Sequence, residues 1–432
     1  MDDKIKRSLR YSTLDGIFAS ITQGLSENFI TPYALAMKAT TAQIGILSAL
    51  PNLAGSASQL ITASTVDRLG SRMALINPCV LLHALMWIPI ILVPYIFGGS
   101  AIACLTLFAT LYMLLNALCI PAWSSLMADH VPEGRRGNFF GWRNRLLGFI
   151  SVGATFTAGF FLNSFRGPSA FTGFTIIFSL AFLSRLLSWN FLRKMYEPPL
   201  VVRKEDRFTF AQFFRKLTIS NFGRFVIFVS MMHFSVMLVS PFLAVYMLKD
   251  LKFSYAAYTI INLAATVTIL FAMKIWGVHA DHIGNRRVLR LTSGLLPLIP
   301  ILWILSPNKI YLIFVQVFAG FFWAGFNLSS SNFILDAVTP QKRTRCIAYF
   351  NAINGCAIFM GAFLGGMLVK YLPAIFGYRI LTLALISGVL RAASSIFCTT
   401  VKEVRPVAKV SSLDLFYSVI GIRPIPNHLG RE

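Results

Sequence analysis

Long apolar stretches recur along the chain from Tyr11 to Thr400. A helix of about 20 apolar residues crosses the ~30 Å hydrocarbon core of a bilayer, and helices buried in a soluble core are usually shorter. The pattern therefore predicts an all-α membrane protein with twelve transmembrane helices. The predicted spans are residues 12–37, 41–66, 73–97, 100–128, 138–163, 169–194, 219–248, 254–278, 288–306, 309–336, 344–370 and 377–400.

The composition supports a lipid environment. Of 432 residues, 56% are hydrophobic and only 13% are charged, which is unusual for a soluble protein. The first span is long and contains Asp15 and Glu27, so we expect it to be retained rather than cleaved as a signal peptide. The six cysteines lie in or beside apolar stretches without C-x-x-C spacing. We therefore expect no disulfide framework, metal site or cofactor.

The basic charge follows the predicted topology. The formal net charge is +23, which alone could indicate a nucleic-acid partner. When alternate loops are assigned to opposite faces, however, most Lys and Arg fall on the face that holds both termini. This distribution is typical of cytoplasmic loops. It predicts a multi-pass protein of the cell inner membrane with both termini in the cytoplasm, and it removes the need for nucleic acid.

Two segments of the sequence resemble each other. Asp67-Arg68-Leu69-Gly70-Ser71-Arg72 follows the second span, and Asp281-His282-Ile283-Gly284-Asn285-Arg286-Arg287 follows the eighth. Further matches in the two halves are Asp129 with Asp336, Arg136 with Arg343, Asn144 with Asn351, Gly148 with Gly355, Pro32 with Pro241, and Arg185 and Glu197 with Arg391 and Glu403. The sequence thus predicts two pseudo-symmetric six-helix bundles.

The predicted division places the first bundle at residues 1–195 and the second at 219–402. Residues 196–218, with Pro198-Pro199 and phenylalanines among basic residues, form a predicted cytoplasmic linker. The linker aromatics fit either an amphipathic segment on the lipid surface or an ordinary surface helix or loop. Residues 403–432 are a predicted cytoplasmic tail.

The repeated D-R-x-G-x-R loop, the twelve spans and the long central loop together resemble the major facilitator superfamily over nearly the whole chain. The loop is similar to that family's motif A, G-x-x-x-D-R-x-G-R-R, although Ala63 stands in place of the leading glycine. The resemblance implies a gating role for Asp67, Arg68, Gly70 and Arg72 and, in the second copy, for Asp281, Gly284, Arg286 and Arg287. The alternative is that these arginines only determine topology.

Two further features refine the resemblance. Asp129 with Arg136, and Asp336 with Arg343, indicate a second pair of cytoplasmic charge clusters with a gating or scaffolding role. Proton-coupled drug exporters of the family carry an arginine in the fourth span and a glycine-proline signature in the fifth, and both are missing here. The sequence therefore disfavours a standard drug-proton antiporter.

Polar residues within the spans are candidates for a transport site, because burying them in lipid is costly. Gln23 and Glu27 are four residues apart, on one helical face, and Asn28 follows. Glu27 could take up a proton, bind a cationic group or pair with an arginine; alternatively, it is a structural hydrogen-bonded carboxylate. The other candidates for substrate or ion binding are His233, Asn262, Gln316 and Asn327.

The remaining intramembrane charges and His83 receive structural interpretations. Arg185 and Arg391 occupy matching places in the sixth and twelfth spans, and snorkelling toward headgroups accounts for both. Asp15 lies nearer the cytoplasmic edge, where solvation or pairing is expected. His83 is interpreted as a hydrogen-bonding residue.

The resemblance implies a monomeric secondary transporter that moves a small solute by alternating access, with a coupling proton or ion at Glu27 as one interpretation. Two alternatives stay open: movement of a lipid or amphiphile by the same fold, and a receptor or assembly protein without transport. No motif of an enzyme stands in a suitable context, so we expect no enzymatic activity. The bilayer and a small-molecule substrate are the expected partners.

Overall fold

The computed structural model describes residues 3–131, 136–165, 169–198, 210–404 and 412–419. Within these ranges nearly every residue is helical, and the only β-type pairing is one isolated bridge between Ile375 and Tyr378. The predicted all-α class is confirmed. Residues 199–209 of the predicted linker and most of the predicted tail lie outside the described ranges.

The first half of the chain forms the following helices: α1 (Asp3–Ser26), α2 (Ile30–Ala36), α3 (Thr41–Leu69), α4 (Arg72–Leu85), α5 (Trp87–Ile96), α6 (Ala101–His130), α7 (Arg136–Asn163) and α8 (Ala170–Leu192). A 3-10 turn, Glu27–Phe29, joins α1 to α2. Several helices begin at side-chain caps. Thr40 and Gln43 form a reciprocal capping box at the start of α3, which satisfies otherwise unpaired amides.

The second half continues with α9 (Phe210–Arg215), α10 (Asn221–Met237), α11 (Ser240–Val245), α12 (Tyr255–Ile283), α13 (Asn285–Leu295), α14 (Leu298–Leu305), α15 (Lys309–Ala337), α16 (Pro340–Leu368), α17 (Arg379–Phe397) and α18 (Ser412–Val419). A π-helical turn, Tyr246–Asp250, follows α11. The matching spans of the two halves therefore fold into matching helices, as the repeat predicts.

Eleven helical stretches within the described residues are long and apolar enough to cross a bilayer. They correspond to the second to twelfth predicted spans. The first predicted span, 12–37, is also helical but is interrupted at residues 27–29. Its polar residues lower its hydropathy, which explains why it is not among the eleven. The sequence analysis predicted this span but not the break within it.

The chain forms two compact units. Unit 1 contains residues 1–204, 241–260 and 362–367. In this unit α3 packs along α6, and α1 packs against α7 and α8. Its core includes Ile76, Leu126 and Met127, which are at most 1% exposed. Because lipid tails are as apolar as these side chains, close packing rather than escape from water holds such helices together.

Unit 2 contains residues 205–240, 261–361 and 368–432. Here α13 packs on α15, while α10 and α14 pack on α17. Phenylalanine rings fill the interior. Phe225 stacks on Phe333 with ring centroids 4.5 Å apart, and Phe228 meets Phe326 edge to face at 5.9 Å. Aromatic pairs of this geometry contribute beyond the area they bury.

Candidate functional site

The interruption in the first span has a local cause in the sequence. The ring of Pro32 excludes a regular bond to the carbonyl four residues earlier, which belongs to Asn28. The backbone leaves α1 at Ser26 (φ −126°) and re-enters a helix at Ile30. The freed Asn28 carbonyl oxygen accepts a hydrogen bond from the Tyr258 hydroxyl at 3.1 Å, within unit 1. Pro32 was therefore the signal for the break that the sequence analysis left unused.

The break exposes the polar residues that the sequence analysis singled out. Gln23, Glu27 and Asn28 all have exposed side chains, whereas Phe29 beside them is fully buried. The Gln23 amide nitrogen donates to a Glu27 carboxylate oxygen at 3.0 Å. This hydrogen bond from a side-chain amide orients the carboxylate but does not neutralise its charge. Glu27 is therefore accessible and equipped to take a proton or a cationic group.

A buried polar network continues from α1 across unit 1. The Ser188 hydroxyl donates to Asp15 at 2.6 Å and accepts from the Arg185 guanidinium at 2.9 Å. The Arg185 Nε donates to His83 Nδ1 at 3.0 Å. Arginine has no acceptor, so His83 accepts at Nδ1 and carries its proton on Nε2. That Nε2 is buried and has no hydrogen-bond partner among the described residues.

Both snorkelling assignments were wrong. Arg185 is only 8% exposed and is held by Ser188 and His83 inside unit 1. Arg391 is 4% exposed in unit 2, where it donates to the Ser387 hydroxyl at 3.2 Å and to the Leu296 carbonyl at 3.4 Å. Sequence reasoning failed here because a position some turns inside a span does not reveal whether the side chain faces lipid or protein.

The candidate residues of unit 2 are partly assembled around His233. Its Nδ1 makes a 2.8 Å hydrogen bond with the Asn354 side-chain oxygen, and its ring lies nearly parallel to that of Trp323, with centroids 6.0 Å apart. Trp323 and Asn327 are four residues apart on one face of α15. Asn327 is exposed.

Three more polar residues of unit 2 belong to the description of the group around His233. Gln316 lies two turns from Trp323 on α15 and is half-buried, as is Asn262 on α12. Asn354 on α16 was missed by the sequence analysis, because one asparagine in a helix carries no pattern that separates it from a residue that bonds neighbouring helices. The structure joins His233 to Asn354 rather than to the asparagines that had been singled out.

The first copy of the repeated loop is tied to its own half of the chain. Within unit 1, the Glu197 carboxylate accepts from the Ser71 hydroxyl (2.6 Å) and from the backbone amides of Arg72 (2.6 Å) and Met73 (3.3 Å). The Arg72 guanidinium, which is buried, pairs with Asp129 at 2.7 Å. A carboxylate at the first amides of α4 also faces the positive end of the helix dipole.

These contacts affect the ionisation of Glu197. Partial burial raises the pKa of this carboxyl, but the hydrogen bonds from Ser71, Arg72 and Met73 and the Arg72 charge outweigh burial and lower its pKa below the ordinary value of 4.5. Glu197 is thus an anionic cap for α4.

The second copy repeats the arrangement in unit 2. The Arg286 amide donates to Glu403 at 2.8 Å, and the Arg286 guanidinium donates to the Thr399 carbonyl at 3.2 Å. Asp336 accepts from the Asn285 side chain at 2.8 Å. The additional contacts of this region are from Arg287 to the Ile283 carbonyl (3.5 Å) and from Arg343 to the Leu335 carbonyl (3.0 Å).

The motif glycines have a conformational role. Gly70 ends α3 with φ +64°, and Gly284 precedes α13 with φ +94°, a region that L side chains rarely adopt. Asp67, Arg68 and Asp281 are exposed. Asp129 pairs with Arg72. The Arg136 side chain, predicted to belong to the same charge cluster, lies outside the described residues.

Among the described residues, no group of three His, Cys, Asp or Glu side chains could hold a metal ion. The chemistry that the arrangement offers is reversible protonation or cation binding at Glu27 and neutral hydrogen bonding at His233 and Asn354. Both are binding chemistry.

Comparisons with known proteins give the same picture. Residues 225–416 match the profile of the Major Facilitator Superfamily. Over its described residues the structure is similar to two twelve-helix transporters of that superfamily: the nucleoside transporter NupG (TM-score 0.69, 14% identity, 90% of this chain and 99% of that one) and a D-xylose-proton symporter (TM-score 0.72, 14% identity, 92% and 98%). The profile match covers less than half of the chain, and the similar structures show its fold. The predicted two-bundle, twelve-helix fold of that superfamily is confirmed.

A relative at the sequence level is the multi-drug resistance efflux pump PmrA of Streptococcus pneumoniae, 28% identical over 193 residues. The match covers 43% of this chain and 47% of PmrA, so the chain matches about half the length of this relative. The proteins named in these comparisons are transporters, which agrees with the expectation that this multi-pass membrane protein is not an enzyme.

Proposed function

We propose that this chain is a member of the major facilitator superfamily and a secondary transporter, which carries a small solute across a bilayer by alternating access, with a proton or another cation bound at Glu27. The observation that supports the proposal is the broken first span. It presents an accessible carboxylate where a continuous apolar helix would otherwise stand. Retaining a charge at this depth opposes insertion by about 2.5 to 3.5 kcal/mol, which favours a functional reason for keeping it.

A short screen of ligands can identify the class of solute. The similar proteins include a nucleoside transporter, a xylose-proton symporter and a multi-drug efflux pump. We therefore propose nucleosides, pentoses and lipophilic cations as the first three groups of probes. His233 and Asn354 offer neutral hydrogen bonds beside Trp323, which suits the first two groups, whereas the Glu27 carboxylate suits the third.

The test begins with purified protein. Thermal stabilisation by members of the three groups selects a ligand, and flux of that ligand is then measured in proteoliposomes with and without a pH gradient. We expect gradient-driven flux for the wild-type protein. Glu27→Gln should lose at least about 90% of the gradient-driven component while retaining its fold, since the amide binds no proton.

Asp3→Asn is the matched control, because Asp3 is an exposed carboxylate at the start of α1, the helix that leads to the Glu27 turn. It should keep wild-type flux. Unchanged gradient-driven flux in Glu27→Gln would exclude the coupling role of Glu27. The absence of flux for every probe that stabilises the wild-type protein would contradict transport itself.

The orientation is a further part of the proposal. The excess of Lys and Arg on the face with the two repeated loops supports a cytoplasmic position for that face and for both termini, in the inner membrane. The loops with Glu197 and Glu403 then lie on the cytoplasmic side. Their gating role stays a proposal, supported by the repeated capping geometry in the two units.

A further inference from the structure

Helix α9 packs one face on unit 2 and leaves another face open. Phe213 is 6% exposed, and its ring centroid lies 5.4 Å from that of Tyr349 on α16 and 5.9 Å from that of Phe222 on α10. Phe214, the next residue, is 60% exposed. The two adjacent phenylalanines therefore have different surroundings: protein surrounds Phe213, whereas Phe214 faces the exterior of the structure.

The chain between α9 and α10 is an ordered turn that continues this open surface. The Ser220 hydroxyl caps α10 by accepting from the Gly223 amide at 3.0 Å. A Cβ atom at Gly223 would collide with the backbone of Leu217, so the turn packs directly on α10. Ile219 within the turn is 73% exposed. Phe214 and Ile219 thus form an open apolar pair on a backbone that α10 holds in place.

The charged residues beside this apolar pair are basic. Arg215 and Lys216 come directly after the open phenylalanine, and both side chains are exposed. Lys402, also exposed, is joined to the start of α10: its amide donates to the Asn221 side-chain oxygen at 2.7 Å, and its carbonyl accepts from the Asn221 side-chain nitrogen at 2.9 Å. Residues 210–224 contain no acidic residue. This surface therefore complements a negatively charged partner.

The length of the span that follows places this surface at the level of lipid headgroups. The helical stretch Asn221–Asp250 has 30 residues, and at about 1.5 Å per residue it rises about 45 Å. The hydrocarbon core is ~30 Å thick, and the bilayer with its headgroups is about 40 to 45 Å thick. The first residues of the stretch therefore reach the headgroups. Ile219 stands two residues earlier, so at most about 7 Å of chain separates it from Asn221.

A lipid surface suits these side chains better than a protein partner does. Lysine is depleted in protein–protein interfaces. Segments that lie on a bilayer, in contrast, combine exposed aromatic and aliphatic side chains with lysine and arginine, and anionic headgroups attract the basic residues. Glu403, the acidic residue next to Lys402, is engaged at the first amides of α13. The basic charge of the surface is thus available to headgroup phosphates.

We propose that residues 210–220, which comprise α9 and the turn after it, bind the surface of a bilayer that contains anionic phospholipids. The two exposed apolar side chains insert at the boundary of the acyl chains, and Arg215, Lys216 and Lys402 contact the phosphate groups. The basic residues provide the preference for anionic over zwitterionic lipid, since each positive charge near a negative membrane surface strengthens binding. This role does not depend on the transported solute or on Glu27.

The test measures the membrane depth of spin labels on the full-length protein. In a background without native cysteines, Phe214→Cys, Ile219→Cys and Gln212→Cys are each labelled with a nitroxide. The protein is placed in nanodiscs that contain equal parts of phosphatidylglycerol and phosphatidylcholine. Oxygen concentrates in lipid and a nickel chelate stays in water, so the ratio of the two accessibilities reports depth. Gln212 is the matched control, because it is exposed and lies about 200° around α9 from Phe214.

The labels at positions 214 and 219 should lie in lipid. Their ratio of oxygen to nickel accessibility should exceed that of Gln212→Cys by at least about threefold. In nanodiscs of phosphatidylcholine alone this difference should fall by about half or more. Equal ratios at positions 214 and 212 would place the surface in water and overturn the proposal. A label at position 214 that is shielded from both reagents would reveal a protein cover and would overturn it too.

Charge substitution separates headgroup binding from insertion of the apolar side chains alone. Arg215→Gln combined with Lys216→Gln should lower the ratio at position 214 in anionic nanodiscs to its value in phosphatidylcholine. Lys309→Gln combined with Lys370→Gln is the control, because both lysines are exposed elsewhere in unit 2. It should leave the ratio unchanged. An unchanged ratio in the first double variant, or an equal decrease in both, would overturn the assignment of the phosphate contacts to α9.

Discussion

Small side chains determine how closely the helices of unit 1 approach each other. A Cβ atom at Gly159 on α7 would collide with the Thr259 side chain, which is itself buried. Gly153 on the same helix has open space where its Cβ would lie. The two glycines look alike in the sequence, and only packing distinguishes them.

Alanine substitution separates the two positions. Gly159→Ala should destabilise the protein by about 1 to 3 kcal/mol, because Thr259 is β-branched and has little freedom to move away. Gly153→Ala should be neutral or stabilise by up to about 1 kcal/mol, since alanine favours a helix. Thermal unfolding in detergent measures both. Equal effects would contradict the close contact at Gly159.

At this scale the sequence predicts residue types better than their partners. Glu27 and Gln23 lie together as their spacing indicates. His233, in contrast, bonds Asn354, more than a hundred positions away in the sequence, and Arg185 bonds His83. Such partners depend on the rotation of each helix about its axis. Apolar residues on every face of a transmembrane helix leave that rotation undetermined.

Single helices in this protein are stabilised at their ends. Glu197, from the segment after α8, caps the first amides of α4 and contacts Arg72. Glu403, from the segment after α17, occupies the matching place at the first amides of α13. The helix ends thus depend on residues more than a hundred positions away, so the bonds that hold α4 and α13 also bring distant segments together.

The cap of α4 predicts a pH dependence. Because folding lowers the pKa of Glu197, its contribution to stability is present above pH 4.5 and is lost as the pH falls through the lower value of the folded state. Glu197→Gln should cost about 1 to 3 kcal/mol at about pH 7. The loss relative to wild type should diminish on acidification. Thermal unfolding at several pH values checks both statements.

Asp3→Asn serves as the control for this experiment as well. The Asp3 and Lys6 side chains are 94% and 61% exposed, and exposed pairs contribute little. We expect no measurable change in stability at any pH. A loss as large as that of Glu197→Gln would show that the effect belongs to charge in general rather than to the cap.

Whole elements follow from the sequence more reliably than their interruptions. Apolar length locates the spans, because lipid requires every backbone group to bond within a helix. The break after Ser26 results from Pro32, and α10 likewise ends at Met237, four residues before Pro241. The repeated prolines therefore indicate where the helices break. Apolar length alone does not reveal a break, since a broken helix remains long and apolar.

The fold of the whole chain is the part that the sequence determines best. Two copies of one loop and a matching order of spans suffice to predict two six-helix bundles, because each repeat must bury the same faces. The sequence determines the function of the whole chain less closely than its fold. The same fold is present in a nucleoside transporter and in a xylose symporter, so the solute depends on a few side chains and not on the architecture.

Orientation in the membrane is a prediction for the whole molecule. In a background without native cysteines, Ser100→Cys should react with a membrane-impermeant maleimide in intact cells. Leu69→Cys, at an exposed position in the first repeated loop, should react only after permeabilisation. The physical reason is the retention of Lys and Arg loops on the cytoplasmic side. The reverse pattern of labelling would invert the proposed topology.

The turn at Glu27–Phe29 gives the protein an internal reporter. Amide protons in an irregular turn exchange with deuterated water through smaller openings than those within regular helices. A proton or cation arriving at the neighbouring carboxylate changes the field at these amides and the strength of their bonds. Deuterium uptake by a peptide that covers this turn would then report the binding of a proton or cation at Glu27, without a label and without any solute in the sample.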